Sequence, residues 1–296
     1  MTFFCRAAIS LSTLLIAGGL AAQDSKPGSR LRYAFEKGAK GHFVMATAVD
    51  MDINKGAQKM NMNMSLFVTY EVTDVVDGKG HVTNTLDRMK MTGNNPMMGK
   101  IDFDTDNEDS VPAMFDRYLD LVGQEISTVV DNRGHVEVEQ PTGANAAAMQ
   151  STFNDKTFSQ MIPVLPETPV DVGGTWTTTM EMPGGQMGPM KMGVLNKLIA
   201  VDDETFTVEG TLEVDLSGMP DGAVKPNFTK ATSMTVMDRK SAIPHRQSVE
   251  MVMNASGDQG GMAMGMDMTM KMTVGRTEAP QKSAEPSKPT SRKSDK

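Results

Sequence analysis

Apolar and polar residues alternate strictly in two stretches of the chain. One is Met60-Asn61-Met62-Asn63-Met64-Ser65-Leu66, and the other runs from Met262 to Met272, MAMGMDMTMKM. A period of two predicts half-buried β-strands. The Val- and Thr-rich runs Leu66–Val72, Gly174–Met182, Thr205–Leu216 and Gln247–Met253 predict more of the same. Near-copies of one turn recur: Thr73 to Val82 (TDVVDGKGHV) and Ser127 to Val136 (STVVDNRGHV), with a looser echo at Ile199 to Asp203. Asp followed by Gly or Asn opens a tight turn, and the later Gly can take the positive φ that closes a hairpin.

Two segments break the β pattern. In the first, Ser110 is placed to cap a helix and Pro112 lies near its start. Met114, Phe115, Tyr118, Leu119 and Val122 fall on one face, and Gly123 ends it. The second spans about 144–161, with Met149, Phe153 and Met161 on its apolar side and Pro163 stopping it. The resulting expectation is an α+β protein, mostly antiparallel: a curved sheet or half-barrel of two related halves, with two helices packed on it. The halves would be residues 30–140 and 165–276, joined by the helical stretch 144–161.

The ends differ from this body. Arg6 precedes an uncharged apolar run from Ala7 to Leu20, with small residues after it. That is the layout of a cleavable secretory signal over residues 1–22, followed by a short linker at 23–29. The run is too short to span a bilayer, which needs about 20 residues. Residues 277–296 are Pro, Ser and Lys with almost nothing apolar, which predicts a disordered basic tail. The expected location is therefore the periplasm or the exterior, with no transmembrane segment.

Charge and composition narrow the chemistry. The net charge is −8 and the tail is basic, so the body is acidic. Nucleic acid and anionic membrane are poor partners for it. The only cysteine, Cys5, lies in the signal, so the processed protein has no disulfide or thiolate nucleophile. Asp102, Asp104 and Asp106 begin like a calcium loop. The required Gly is Asn107 and the closing Glu is Ala113, so a helical calcium hand is rejected. His42, His81, His135 and His245 show no metal-ligand spacing, and no G-x-S-x-G, H-E-x-x-H or phosphate loop occurs. The expectation is a protein that is not an enzyme and has no cofactor.

Methionine is the dominant compositional signal. The chain holds 29 Met, against 10 Leu and 6 Ile beyond the signal. On the alternating strands the faces opposite the Met are Asn, Ser, Asp, Lys and Gly, so the Met face is the inward one. A concave face lined by Met60, Met62, Met64, Met266, Met268 and Met270 would suit an apolar ligand, or would be a filled core. A different reading attaches to Met182, Met187, Met190 and Met192 in MPGGQMGPMKM. They lack a clear strand period, and thioethers are soft ligands for Cu(I) or Ag(I). The expected partners are an apolar ligand or an envelope protein, with a purely structural envelope role as a third reading.

Several motifs lie outside this chemistry. Leu165-Pro166, Pro169-Val170, Gly173 and Trp176 form LP-x-x-PV-x-x-G-x-x-W. Leu31 to Gly38 (LRYAFEKG) precedes the first strand, and Gly99 to Asp104 reads GKIDFD. Together these resemble an uncharacterised family of exported bacterial β-rich proteins and lipoproteins of the planctomycete and Bacteroidetes type. The resemblance implies a Gram-negative-type envelope and a fold, with structural rather than catalytic motifs. Unlike the lipidated relatives, this chain has no lipobox cysteine.

Overall fold

The computed structural model describes residues 30–139, 161–182, 190–215, 225–259 and 262–278. Within them the chain forms one antiparallel sheet of twelve strands. These are β1 Lys40–Ile53, β2 Gln58–Val76, β3 Lys79–Asn95, β4 Gly99–Asp104, β5 Glu125–Val130, β6 Val136–Val138, β7 Thr175–Met182, β8 Met190–Val201, β9 Thr205–Asp215, β10 Lys225–Asp238, β11 Pro244–Gln259 and β12 Met262–Thr277. Their order is β6-β5-β3-β2-β1-β12-β11-β10-β9-β8-β7, and β4 pairs separately with β3. The first strand therefore meets the last at the centre, with His42 opposite Thr277 and Ile53 opposite Met266.

The α+β expectation is overturned, because the described residues are nearly all β. Where the first helix was expected there are two 3-10 turns, Glu108–Ser110 and Ala113–Phe115, and a single α turn, α1, Asp116–Leu119. The reason lies in Ser110. Its hydroxyl accepts the Asp104 N–H at 3.0 Å and lies 2.7 Å from the Asn107 carbonyl, to which it donates. It closes the acidic turn behind it and leaves the helix start uncapped; α1 begins at Asp116 without a side-chain cap. Phe115 and Tyr118 still pack on the core, Phe115 against Phe103 with ring centroids 4.9 Å apart. The second expected helix lies outside the described residues except for Met161, as do the signal segment and nearly all of the tail.

The hairpin signals translate directly. Asp77 and Gly78 both have positive φ, the geometry of a two-residue type I′ turn between β2 and β3. Its near-copy between β5 and β6 is built differently. Asn132 stands where the first turn has Gly78, and positive φ is deferred to Gly134, which widens the loop. The Asp131 carboxylate fills the space by accepting the N–H groups of Arg133 and His135 at 2.8 and 3.0 Å. Asp202 does the same for Glu204 and Thr205 between β8 and β9.

The sheet is rolled at one end. Val164 and Leu165 are neighbours in sequence. The Val164 carbonyl accepts the Trp176 indole N–H on β7 at 2.8 Å, and the Leu165 N–H bonds the Arg133 carbonyl after β5 at 2.7 Å. β5 and β7 are nine strand steps apart, about 43 Å in a flat sheet. Two adjacent residues can touch both only if the sheet curls and brings its edges together. The segment Leu31–Ala39 ties the same end, joining the β5–β6 turn to the β10–β11 turn. Tyr33 N–H bonds the Asn132 carbonyl, and Ala34 N–H bonds the Arg239 carbonyl.

These two segments plug the rolled end. Leu31, Tyr33, Met161, Ile162 and Leu165 are buried among Phe43, Leu86, Phe206 and Leu198 in one core cluster. The residual cavity there is about 10 Å³, between Phe43, Thr128, Ile162 and Ser241. That is room for about one water molecule. The Ser241 hydroxyl beside it is buried without a hydrogen-bond partner.

Candidate functional site

The LP-x-x-PV-x-x-G-x-x-W motif is the clamp of this plug. Leu165 is 0% exposed. The Arg32 guanidinium donates to the Pro166 carbonyl at 2.8 Å, and Arg133 Nε donates to the Leu165 carbonyl at 3.1 Å. Gly173 takes φ +89° and sends its N–H to the Leu198 carbonyl. The motif holds a loop against both ends of the sheet, and Arg133 also pairs with Glu167 inside it at 2.7 Å.

The inner face changes character along its length. Toward the plug it carries Phe43, Tyr70, Val72, Leu86, Phe206, Leu198 and Val274, all nearly fully buried. Away from the plug it becomes methionine. The strand registers place these side chains in rows across neighbouring strands. Met91, Met64, Thr47, Met272 and Val249 form one row. The next is Gly93, Met62, Val49, Met270 and Met251, and the third is Met60, Met51, Met268 and Met253. Met266 follows, opposite Ile53 on one side and Ala255 on the other.

All six methionines singled out from the alternating strands, Met60, Met62, Met64, Met266, Met268 and Met270, are therefore on one face. They flank β1 from its two sides. Each is half-buried, whereas Met251, Met253, Met89 and Met91 are buried. Met51 and Met251 complete the patch. Their adjacency to the other six comes from the strand pairing.

The second methionine set is placed differently from the loop expected for it. Met182 ends β7 and Met190 begins β8, directly opposite it. Met192 lies within β8 opposite Met180 and is 2% exposed. Met187 lies outside the described residues. Of the remaining loop methionines, Met97 and Met98 are exposed at the β3–β4 turn. Asn95 at that turn donates its side-chain amide to Met60 Sδ at 3.3 Å.

The outer face is polar. Its acidic cluster is neutralised from within: Arg88 Nε donates to Asp104 at 2.8 Å, and the same guanidinium pairs with Asp106 at 3.2 Å. The Arg88 hydrogen bond holds the Asp104 carboxyl below its usual range. Arg88 also lies over the Phe67 ring, 5.2 Å from its centroid.

Each histidine has a local polar partner. His81 approaches Glu139, His135 approaches Asp131, and His245 approaches Asp238. His42 Nδ1 lies 2.7 Å from the Thr69 hydroxyl, which donates to Asp87 at 2.6 Å. This His–Thr–Asp chain joins three strands and has no local sequence signature. It occupies the outer face, opposite the Phe43 side. Among the described residues no group of three or more His, Cys, Asp or Glu could hold a metal ion. Nor is any described helix long and apolar enough to cross a membrane.

No family model and no curated protein matches the chain. Among solved structures it is similar to lipovitellin, at 11% identity and a TM-score of 0.45, over 84% of this chain but 26% of that one. DynF of the dynemicin biosynthesis pathway of Micromonospora chersina is matched at 9% identity and TM-score 0.22, over 86% of this chain and 89% of DynF. An outer membrane channel from Pseudomonas putida F1 is matched at 10% identity and TM-score 0.28, over 85% and 99%. The chain thus spans about a quarter of the length of lipovitellin.

Proposed function

We propose that this chain is a non-enzymatic exported envelope protein that holds an apolar ligand of the acyl-chain type against the methionine half of its inner face. The observation that carries this reading is the change of side-chain type along one continuous face. Branched and aromatic side chains have few rotamers and specify a unique packed core, and here they fill the plugged end. Methionine has three rotatable bonds and a polarizable sulfur, so it adapts to the shape of what it meets. Half-buried methionines on the three adjacent strands β2, β1 and β12, flanked by buried ones on β3 and β11, form a patch of the kind that soluble proteins keep for binding.

The test has two parts. Native mass spectrometry of protein purified from its own host should show a retained acyl-chain lipid. A fluorescent apolar dye should bind, and the double variant Met62→Glu/Met270→Glu should abolish both signals while circular dichroism stays that of a folded sheet. A wild-type protein that retains no lipid and takes up no dye would sink the reading.

A further inference from the structure

We infer that the row Met60–Met51–Met268, with Met253 beside it, is a binding site for a soft monovalent cation, Cu(I) or Ag(I). Met51 lies on β1 directly opposite Met60 on β2 and directly opposite Met268 on β12. Met268 is in turn opposite Met253 on β11. Directly opposed residues of antiparallel strands have Cβ atoms about 4.5–5.5 Å apart. A methionine side chain is longer than that spacing and has three free torsions. Three sulfurs from adjacent strands can therefore converge on one ion without any backbone movement.

The donor set selects the ion. The inner-face neighbours of this row on β1, β10 and β11 are Val49, Ile53, Phe228 and Ala255, which offer no lone pair; on the β2 side lie Gln58 and Asn95, and the Asn95 Oδ1 already accepts the Met97 and Met98 N–H groups. Thioethers are the most numerous donors here, and they favour soft monovalent ions over Zn²⁺, Mg²⁺ or Ca²⁺. Met60, Met51 and Met268 are half-buried, so the sulfurs are reachable and partly desolvated. The hydrogen bond from Asn95 fixes the position of the Met60 sulfur and leaves it a second lone pair.

The reverse side of the same strands adds an electrostatic argument. On the outer face Asp52 stands directly opposite Asp267. Like charges at directly opposed positions are destabilising. Lys59 lies 3.8 Å from Asp52. A positive ion on the inner side of these strands would relieve that repulsion without being ligated by either carboxylate. The site is distinct from the expected Met182, Met187, Met190 and Met192 set, which belongs to β7, β8 and their connection.

The experiment uses the processed, metal-free protein and Ag(I) as a redox-inert probe, read by native mass spectrometry and calorimetric titration. One tight equivalent is expected. Met51→Leu should weaken it by at least about 100-fold, since it removes the central donor while conserving volume. Met97→Leu/Met98→Leu, on the exposed turn, should leave it unchanged. Cu(I) loaded under anaerobic conditions should show only sulfur neighbours by X-ray absorption. Absence of a tight equivalent in the wild type would overturn the assignment. So would full retention of binding in the triple variant Met51→Leu/Met60→Leu/Met268→Leu. Because dye uptake reads the apolar face and Ag(I) reads the sulfurs, loss of one leaves the other readout intact.

Discussion

Replacing Leu165 by Ala should cost about 3–4 kcal/mol of folding stability, although Leu165 lies in no strand or helix. Its side chain is 0% exposed and contacts the core formed by the rolled sheet. Leu to Ala removes three carbons, worth about 2.4 kcal/mol at about 0.8 kcal/mol per buried group. The cavity left behind adds to this unless the loop can collapse into it. Collapse is resisted because the backbone is held on every side. The Leu165 N–H is bonded to Arg133, its carbonyl accepts from Arg133 Nε, Val164 accepts from Trp176, and Pro166 accepts from Arg32. Equilibrium urea unfolding would measure the loss as a shift in midpoint at constant slope. The comparison is Met60→Ala, which is half-buried at the far end of the sheet and should cost about 1 kcal/mol. If Leu165→Ala costs no more than Met60→Ala, the plug is not part of the core and the rolled-sheet account fails.

Other outcomes follow from the same geometry. Gly134 has φ +95°, and an added Cβ would lie 2.8 Å from the Pro163 carbonyl oxygen, so Gly134→Ala should destabilise by about 2–3 kcal/mol. Gly99→Ala meets only the φ penalty, in open space, and should cost about 1 kcal/mol in the same urea assay. Burial opposes ionisation of Asp131, yet the hydrogen bonds from the His135 ring and the His135 and Arg133 N–H groups outweigh it and hold its pKa below the usual value. A carboxyl lowered in the folded state stabilises above about pH 4 and ceases to do so as pH falls through its folded value. Asp131→Asn should therefore lower stability at pH 7 and flatten the acid limb of the pH–stability curve. A parallel acid limb would contradict the assignment. Under limiting hydrogen peroxide, Met97 (94% exposed) and Met114 (61%) should become sulfoxides before Met237 (0%), as read by peptide mass mapping.

The local parts of this fold were legible in the sequence, and the long-range parts were not. Alternation in MNMNMSL identifies a strand and its inward face, because side chains on a strand have a period of two whatever the strand pairs with. Asp-Gly at 77–78 identifies a turn, because two consecutive positive φ values are a local requirement. The helix expected at 110–123 failed through competition for one hydroxyl. Ser110 is a sound cap by its type, but the turn at Asp104–Asn107 uses its oxygen first. Nothing in the spacing of residues 110–123 records that rival.

The site shows the same division more sharply. The face to which Met60 and Met268 belong follows from their own strands, 208 residues apart. Their adjacency to Met51 follows only from β1 pairing with both β2 and β12. That pairing closes the two ends of the chain on one another, and no local pattern requires it. Met51 sits in AVDMDIN, where the alternation Val49, Met51, Ile53 against Asp50 and Asp52 gives its face but not its neighbours. On the folded sheet those aspartates face outward, and Met51 is the centre of a thioether row. The soft-metal inference thus turns on a residue whose partners, unlike its face, no local pattern names. Met51→Leu, a substitution nearly neutral for packing, is accordingly the sharpest single probe of whether the methionine-rich face binds ions as well as apolar surface.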